Sequence, residues 1–359
     1  MKRIFYALVF LLSTSSLFAT IRTVSNNPST IAQFNTIQAA INAANSGDTI
    51  YVHGSPNPYG SFTIDKRLAI IGPGWSPDKN LPLTAFVNNS VNITGAAAAG
   101  TEIQGLHFQS TISIVTLGVN NIRFVRNRFS SMSLNIFPNV AGTISNYLFE
   151  GNYFDNGQVQ TNSSYTMENF IFQNNLFIEN GCCVFASISG FTNTTNILVD
   201  HNLFYGSGSG NRPAFGGNTR FITVSNNVFV RRDAASGLSS STFNNNITFN
   251  TGNDAPWSAN GNVDGGGNKA GQDPVMVDQT SVNNGVNNPL LNFTIASGPA
   301  NDASSDGKDI GLLYDGTGSL NWNNSRASRI PYIFSMNITT PTVAPGGNVS
   351  VTVEARRNN

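Results

Sequence analysis

The sequence predicts a parallel β-solenoid, a fold in which successive coils of the chain stack with like residues on like. Three observations predict it. A nine-residue unit recurs in the middle of the chain, equivalent positions of its copies hold the same residue types, and amide side chains are common where charged side chains are few. Charged residues make up 11% of the chain, less than half of the share of about 25% usual in soluble domains. The 51 asparagines and 34 glycines are therefore expected to have structural roles.

The repeat consists of five segments that align without gaps. They are NIRFVRNRF (121–129), NYLFEGNYF (146–154), NFIFQNNLF (169–177), NILVDHNLF (196–204) and FITVSNNVF (221–229), with weaker copies IQGLHF (103–108) and FNNNITF (243–249). The seventh residue is always Asn, at spacings of 25, 23, 27 and 25, and the ninth is always Phe. Apolar second, fourth and ninth positions predict two short strands joined by a bend, and the period predicts stacked coils.

The columns indicate how the coils are held together. Phe should stack on Phe at the spacing of about 4.8 Å between neighbouring strands of a sheet. A buried Asn at each bend should bond the backbone there and the Asn of the next coil, because buried polar groups need partners. The asparagines are thus expected to form a ladder along the solenoid.

The two ends of the chain differ from its middle. Residues 1–19, MKRIFYALVFLLSTSSLFA, combine a basic start with a short apolar run and predict a signal peptide. No later stretch reaches the roughly 18 apolar residues that a membrane span needs. We expect the β-helix domain over 20–328, and a C-terminal β-hairpin or cap segment over 329–359, where Val349, Val351 and Val353 alternate after a Pro-Gly-Gly turn.

The chain resembles the pectin lyase-like superfamily of right-handed parallel β-helices. The resemblance rests on the repeat, on TIQAAINAANSGDTIYV (36–52) followed by GSFTIDKRLAIIGPG (60–74), on IQGLHF, and on DPVMVD (273–278) followed by LNFTIASGPANDASSDGKDIG (291–311). It covers roughly residues 36–311 and implies a secreted bacterial protein. It also implies an N-terminal helix that covers the first coil, for which Asn35 and Gln38 form a capping-box-like start. Members of this superfamily range from lyases and hydrolases to adhesins, so the fold does not name the activity.

Candidate site residues come from the outward fifth and sixth positions of the repeat. Val199-Asp200-His201 resembles a motif of the pectate lyases, and an arginine and a proline follow at 212 and 213. Lyase chemistry requires a base, for which Arg212 and Arg220 are candidates, and a metal ion that acidifies the abstracted proton. The candidate substrate-binding residues are Glu150, Gln173, Asp200, His201, Arg212 and Arg220.

No metal site is predicted outright, although two places could bind Ca²⁺. Glu150 and Asp200 share a column two coils apart, about 9.6 Å at the spacing of sheet strands, so one ion could not bind both unaided. Asp302, Asp306 and Asp309 lie together in turn-forming sequence. The adjacent Cys182 and Cys183 would make a strained disulfide and are expected to remain unpaired with each other.

Two outward columns are unusually apolar. They are the third position (Arg123, Leu148, Ile171, Leu198, Thr223) and the eighth (Arg128, Tyr153, Leu176, Leu203, Val228). Bare solvent does not favour such stripes, so a connecting loop, the C-terminal segment or another chain should cover them. Self-association through these stripes is one of these alternatives.

The composition and the columns together favour a secreted or cell-envelope protein that contacts polysaccharide through an amide-rich, weakly charged surface. The 19 basic and 19 acidic residues cancel, which argues against nucleic acid as a partner. A recognisable catalytic set is missing from the sequence. The alternatives are a polysaccharide lyase or another carbohydrate-active enzyme acting on uronate glycans, and an adhesive or structural surface protein.

Overall fold

Three parallel sheets form the solenoid. The structure is a computed structural model that describes residues 19–75, 83–181, 186–207, 212–313, 332–338, 346 and 348–356. The chain winds through about nine turns, and most turns add one strand to each sheet. The predicted parallel β-solenoid is therefore confirmed. The predicted signal peptide, except its last residue, and the two cysteines lie outside the described residues.

Sheet A has eleven strands and sheet B has eight, each in chain order along the solenoid. The strands of sheet A are Ile21–Val24, Thr49–Val52, Ala69–Ile71, Glu102–Gln104, Ile122–Val125, Gly142–Glu150, Tyr165–Gln173, Thr194–Asp200, Thr223–Ser225, Thr242–Asn244 and Val263–Asp264. Those of sheet B are Phe86–Val87, His107–Phe108, Arg128–Ser130, Tyr153–Asp155, Leu176–Glu179, Leu203–Gly206, Val228–Val230 and Ile247–Phe249. The nine-residue repeat therefore corresponds to a strand of sheet A, a bend and a strand of sheet B.

Sheet C closes each coil between a strand of sheet B and the next strand of sheet A. Its seven strands are Phe62–Ile64, Val91–Ile93, Ile112–Ile114, Ser133–Ile136, Gln158–Gln160, Ile188–Ser189 and Phe215–Gly216. Two short parallel pairs join Arg212–Pro213 to Arg232–Asp233 and Thr219–Arg220 to Leu238–Ser239. Separately, Tyr332–Ile338 and Val351–Arg356 pair antiparallel near the C-terminus.

Short helical segments complete the described structure. Helix α1 spans Ile37–Ala43 and buries Ile37, Ala40 and Ile41. Its N-cap is Thr36, whose Oγ1 accepts the Ala39 N–H at 3.1 Å, so the expected start at Asn35 is wrong by one residue. A threonine hydroxyl at that position reaches the orphan amide of the first turn. Helix α2 spans Gln279–Asn283, and single 3₁₀ turns occupy Ala96–Ala98, Pro256–Ser258 and Gly298–Ala300.

Aromatic rings stack along the inside of the solenoid. The fourth-position rings of Phe149 and Phe172 have centroids 4.7 Å apart. In the ninth position, Phe177 lies 4.5 Å from Phe154 and 4.7 Å from Phe204, with nearly parallel planes. This separation matches the spacing of neighbouring strands, so the rings stay in contact from coil to coil.

The seventh-position asparagines are fully buried at the bends between sheets A and B. In one bend, Asn175 donates from Nδ2 to the Phe149 carbonyl at 2.9 Å and to Oδ1 of Asn202 at 3.0 Å. Its own Oδ1 accepts the backbone and side-chain N–H groups of Asn152. Equivalent bonds run from Asn127 through Asn227 and continue to Asn246 and Asn268, beyond the five aligned segments. Each amide thus supplies partners that burial would otherwise remove.

The first position of the repeat has a conformational role that the sequence patterns did not reveal. Asn121, Asn146, Asn169 and Asn196 have φ between 55° and 62°, a left-handed region that Asn tolerates better than most residues. Their exposed side chains bond one another, as between Asn146 Nδ2 and Asn121 Oδ1 at 2.9 Å. In the fifth segment, Phe221 takes this position with a φ of 59°.

Candidate functional site

The bend residue at the sixth position has positive φ in every aligned segment. The values are 54° at Arg126, 64° at Gly151, 53° at Asn174, 50° at His201 and 57° at Asn226. Gly and Asn suit this conformation, whereas Arg and His adopt it at a cost of about 1–2 kcal/mol. His201 therefore occupies a bend position where neighbouring coils have amides, and its surroundings must hold it there.

A segment formed by residues 273–313, the closing segment, covers part of the outer face of sheet B. The eighth-position side chains Tyr153, Leu176, Leu203 and Val228 form one buried cluster with the closing segment, which contributes Met276, Val282, Phe293, Ile295, Ala300, Ile310 and Leu312. The expected cover of this apolar column is thus a connecting segment of the same chain. Burial of these apolar surfaces, worth about 25 cal/mol per Å², is the main contribution to the packing of the closing segment on sheet B.

Polar bonds fix the register of the closing segment along the bends. Asn226 Oδ1 accepts the Ser305 N–H at 2.8 Å, and Asn174 Oδ1 accepts the Leu313 N–H at 2.8 Å. The Gly311 N–H donates to the Asn226 carbonyl at 2.8 Å. The segment therefore runs back along the solenoid, from the coil of Asn226 to that of Asn174.

His201 is 1% exposed beneath this segment. Its Nδ1 lies 3.2 Å from the Gly311 carbonyl, and its Nε2 lies 3.4 Å from Oδ1 of Asp306. The distance between Nε2 and Asp306 suits an ion pair. The two atoms do not have hydrogen-bond geometry, so Nε2 is buried without a hydrogen bond. The imidazole consequently joins two parts of one chain and does not face solvent.

Glu150, Gln173 and Asp200 lie side by side on successive strands of sheet A. Gln173 Nε2 donates to Asp200 Oδ2 at 3.3 Å, and Asn226 Nδ2 donates to Oδ1 at 2.8 Å. Glu150 Oε2 lies 3.8 Å from the Arg123 guanidinium, which also lies 3.7 Å from Glu102. The predicted column therefore exists, and its carboxylates are engaged by neighbouring amides or an arginine.

The ionisation of Asp200 reflects its partly buried position. Desolvation, the largest influence, raises the pKa of this carboxyl, and the nearby Asp306 raises it further. His201 and the amides of Asn226 and Gln173 oppose the rise. In contrast, bonds from Ser304 and Lys308 and the charges of His201 and Lys308 lower the pKa of Asp306 despite its partial desolvation.

The predicted arginines lie apart from the acidic column. Arg212 pairs with Arg232 in a separate two-stranded parallel sheet. Arg220 is exposed, donates from Nε to the Thr192 carbonyl at 2.8 Å and lies 5.2 Å from the centre of the Phe221 ring. The structure thus brings Glu150, Gln173, Asp200 and His201 to adjoining positions and leaves Arg220 elsewhere.

Potential metal ligands are dispersed or already bonded. Across the described ranges, no group of three or more His, Cys, Asp and Glu side chains is arranged to hold a metal ion. Asp309 accepts the Asp302 N–H at 3.0 Å, and Asp306 pairs with Lys308 at 3.5 Å. Ca²⁺ binding by these aspartates remains a prediction.

The outer face of sheet C presents a continuous uncharged polar surface. Seven residues, here called the sheet C column, lie in register on successive strands: Thr63, Asn92, Ser113, Asn135, Gln160, Ser189 and Gly216. Their strand neighbours, such as Leu134 and Val159, are buried in the core, which directs the column outward. Six intervals of about 4.8 Å give it a length of about 29 Å.

Side-chain bonds orient the amides of this face. Gln160 Nε2 donates to Asn135 Oδ1 at 2.6 Å, and Gln158 Nε2 donates to Ser133 Oγ at 2.8 Å and to Gln160 Oε1 at 3.1 Å. Every Ser, Thr, Asn and Gln side chain here can both donate and accept hydrogen bonds. The alternation in SLNI and QVQ could have indicated this face, but the sequence between the aligned units varies in length and hides the register.

These features define the chain as a parallel β-solenoid protein. No protein-family model matches its sequence, and no curated protein matches it. Among solved structures, it is similar to the crystal structure of pectate lyase Pel9A, with 14% sequence identity, a TM-score of 0.34, and coverage of 85% of this chain and 96% of that chain. Within the described residues, no helix is both long and apolar enough to cross a membrane.

Proposed function

We propose that this protein is exported and binds polysaccharide through the outer face of sheet C. The observation that carries the proposal is the sheet C column, with donors and acceptors repeated on successive strands. Sugar hydroxyls likewise donate and accept, so an extended glycan can replace the water bonded to this face at several coils. The signal peptide predicted over residues 1–19 supports export.

The acidic column of sheet A fits this role less well. Arg123 neutralises Glu150, Asp200 is bonded by two amides, and His201 is buried under the closing segment. His201 could contact a glycan only if the closing segment moved away from the bend. Glu150, Gln173, Asp200, His201, Arg212 and Arg220 are therefore secondary candidates for glycan contact.

The test measures retention of the full chain on immobilised polysaccharides. The variant Asn135→Ala with Gln160→Ala removes two neighbouring contacts of the sheet C column, each worth about 1 kcal/mol, and should weaken binding about 30-fold. The control is Thr223→Ala with Thr242→Ala, two outward polar residues on neighbouring strands of sheet A. Binding that is absent from the wild type, or equally weakened by both variants, would contradict the proposal.

Two further measurements separate the alternative functions. Unsaturated ends released from uronate polysaccharides, with and without added Ca²⁺, would establish a lyase instead of a binding protein. Self-association abolished by Leu148→Ser with Ile171→Ser would support an adhesive or structural role, because these half-buried residues form the apolar third-position column on sheet A.

A further inference from the structure

The charge distribution around the sheet C column bears on the class of its ligand. None of its seven residues is ionisable, and neither are Ser133 and Gln158 beside it. At one end, Lys66 lies 3.8 Å from the Asp65 carboxylate and donates to the Ile41 and Ala44 carbonyls. At this end, the charge of Lys66 is therefore already bonded.

The other end of the column has an arginine whose charge is turned inward. Arg232 is 1% exposed and donates from Nη2 to Ser187 Oγ at 2.9 Å and to the Pro213 carbonyl at 2.7 Å. Desolvation lowers the pKa of this guanidinium to about 10, and the buried carboxylate of Glu179 opposes that change. The arginine remains charged at neutral pH, but its charge is used inside the protein.

Binding to such a face affects charged and neutral polymers differently. Along the sheet C column, a uronate polymer would lose water from its carboxylates without gaining a cation from any of the seven residues, a loss that is unfavourable. An uncharged polymer exchanges hydroxyl bonds to water for hydroxyl bonds to amides, with a net gain of about 1 kcal/mol for each good bond. The equal numbers of acidic and basic residues also provide no long-range attraction to an anionic chain.

We infer that the ligand class of the sheet C column is an uncharged polysaccharide, held along successive coils by hydroxyl and amide groups. This inference rests on the proposed function and narrows it. The bonds among Ser133, Asn135, Gln158 and Gln160 hold their amides in fixed orientations before a ligand arrives. Such preorganisation lowers the entropy lost on binding.

The experiment compares polymers that share one backbone and differ in charge. Full-length protein is tested on polygalacturonate, on its fully methyl-esterified form, and on an uncharged glucan and galactomannan, at low and high NaCl. We expect at least one uncharged polymer to bind about tenfold more tightly than polygalacturonate, with little change in salt. The esterified polymer should exceed its acidic parent, because the backbone is the same.

A charge-introducing variant supplies a gain of function. Asn135→Lys with Gln160→Lys should raise affinity for polygalacturonate about tenfold at low salt, and screening at high salt should remove the gain. Thr223→Lys with Thr242→Lys on sheet A is the matched control and should give no such gain. Circular dichroism of each variant verifies that the solenoid remains folded.

The outcomes distinguish this inference from the proposed function. Tighter, salt-sensitive binding of polygalacturonate by the wild type would overturn the uncharged class and leave polysaccharide binding intact. Equal gains from both lysine pairs would also overturn the assignment to sheet C. Absence of binding to every polymer would overturn the inference together with the proposed function.

Discussion

His201 Nε2 lies 3.4 Å from Oδ1 of Asp306, and this contact joins the bend of one coil to the segment that covers it. The imidazole is also near the Gly311 carbonyl, and Asp200 beside it accepts bonds from Asn226 and Gln173. Two carboxylates, a lysine at position 308 and one imidazole thus meet where the closing segment lies on the solenoid. The stability of that segment should depend on the ionisation of Asp200 and Asp306, whose pKa values are shifted.

Asp200 and Asp306 should affect stability in opposite directions as pH changes. The pKa of Asp200 is raised in the folded protein. Its contribution to folding stability is therefore fully present below the pKa of the unfolded chain, near 3.8, and is lost as pH rises through the pKa of the folded protein. Relative to Asp200→Asn, the wild type should therefore lose stability above about pH 3.8. Hydrogen exchange of residues 300–313 as a function of pH measures this difference.

Asp306→Asn is the control with the opposite sign. The pKa of Asp306 is lowered in the folded protein. Its contribution to folding stability is therefore present above the pKa of the unfolded chain, near 3.8, and is lost as pH falls through the pKa of the folded protein. The wild type should then exceed this variant in stability at neutral pH and lose that advantage in acid. Parallel pH profiles for the two variants would contradict the assigned roles.

The closing segment also depends on a glycine at its contact with the bends. Gly311 has a φ of 100°, and an added Cβ would lie 2.7 Å from Cγ2 of Val228. Gly311→Ala should loosen the segment by about 2–4 kcal/mol through backbone strain and steric overlap. Limited proteolysis and hydrogen exchange within 300–313 provide the measurement.

Gly307→Ala is the matched control for Gly311→Ala. Gly307 also has positive φ, 78°, but an added Cβ would meet no atom within 4 Å. This variant should show only the backbone strain of about 1–2 kcal/mol. Equal loosening by both substitutions would mean that packing against Val228 does not hold the segment.

The asparagine bonds should dominate the stability of each bend. Asn175→Ala removes partners of the Phe149 carbonyl, the Asn152 N–H groups and Asn202 Oδ1, all buried. We expect a loss of about 3–5 kcal/mol, because each unsatisfied buried group costs about 1–3 kcal/mol. Urea unfolding measures it. Asn193→Ala is the control. Asn193 is exposed, and its Nδ2 donates to Thr166 Oγ1, so this substitution should lower the free energy of unfolding by less than about 1 kcal/mol.

One substitution should stabilise the protein. Phe221 is 54% exposed with a φ of 59°, at the position that Asn occupies in the four preceding coils. Phe221→Asn relieves backbone strain and places an amide next to Asn196, at the loss of an exposed contact with Arg220. We expect the free energy of unfolding to rise by about 0.5–1 kcal/mol, which a higher midpoint of thermal unfolding would show. Phe221→Ala, which retains the strain, should give no such rise.

Much of the solenoid could be predicted because its determinants are local and repeated. The Asn and Phe columns specify which residues of each coil point inward, and the structure places Asn175 and Phe177 accordingly. The role of the first-position Asn was less accessible, since it depends on a backbone angle and not on burial. The sheet C column was missed because its strands occur at irregular distances from the aligned units.

The sequence by itself determined the parallel coils, their inward columns and the weakly charged character of the surface. Only the tertiary structure decided which outward residues remain accessible. His201 and Gly311 are 110 residues apart in sequence, and their contact arises because the chain turns back along the solenoid. No local pattern specifies such a contact, whereas the burial of apolar side chains from two distant segments stabilises it. The same packing buries the eighth-position residues from Tyr153 to Val228, whereas the sheet C column stays half-buried or exposed.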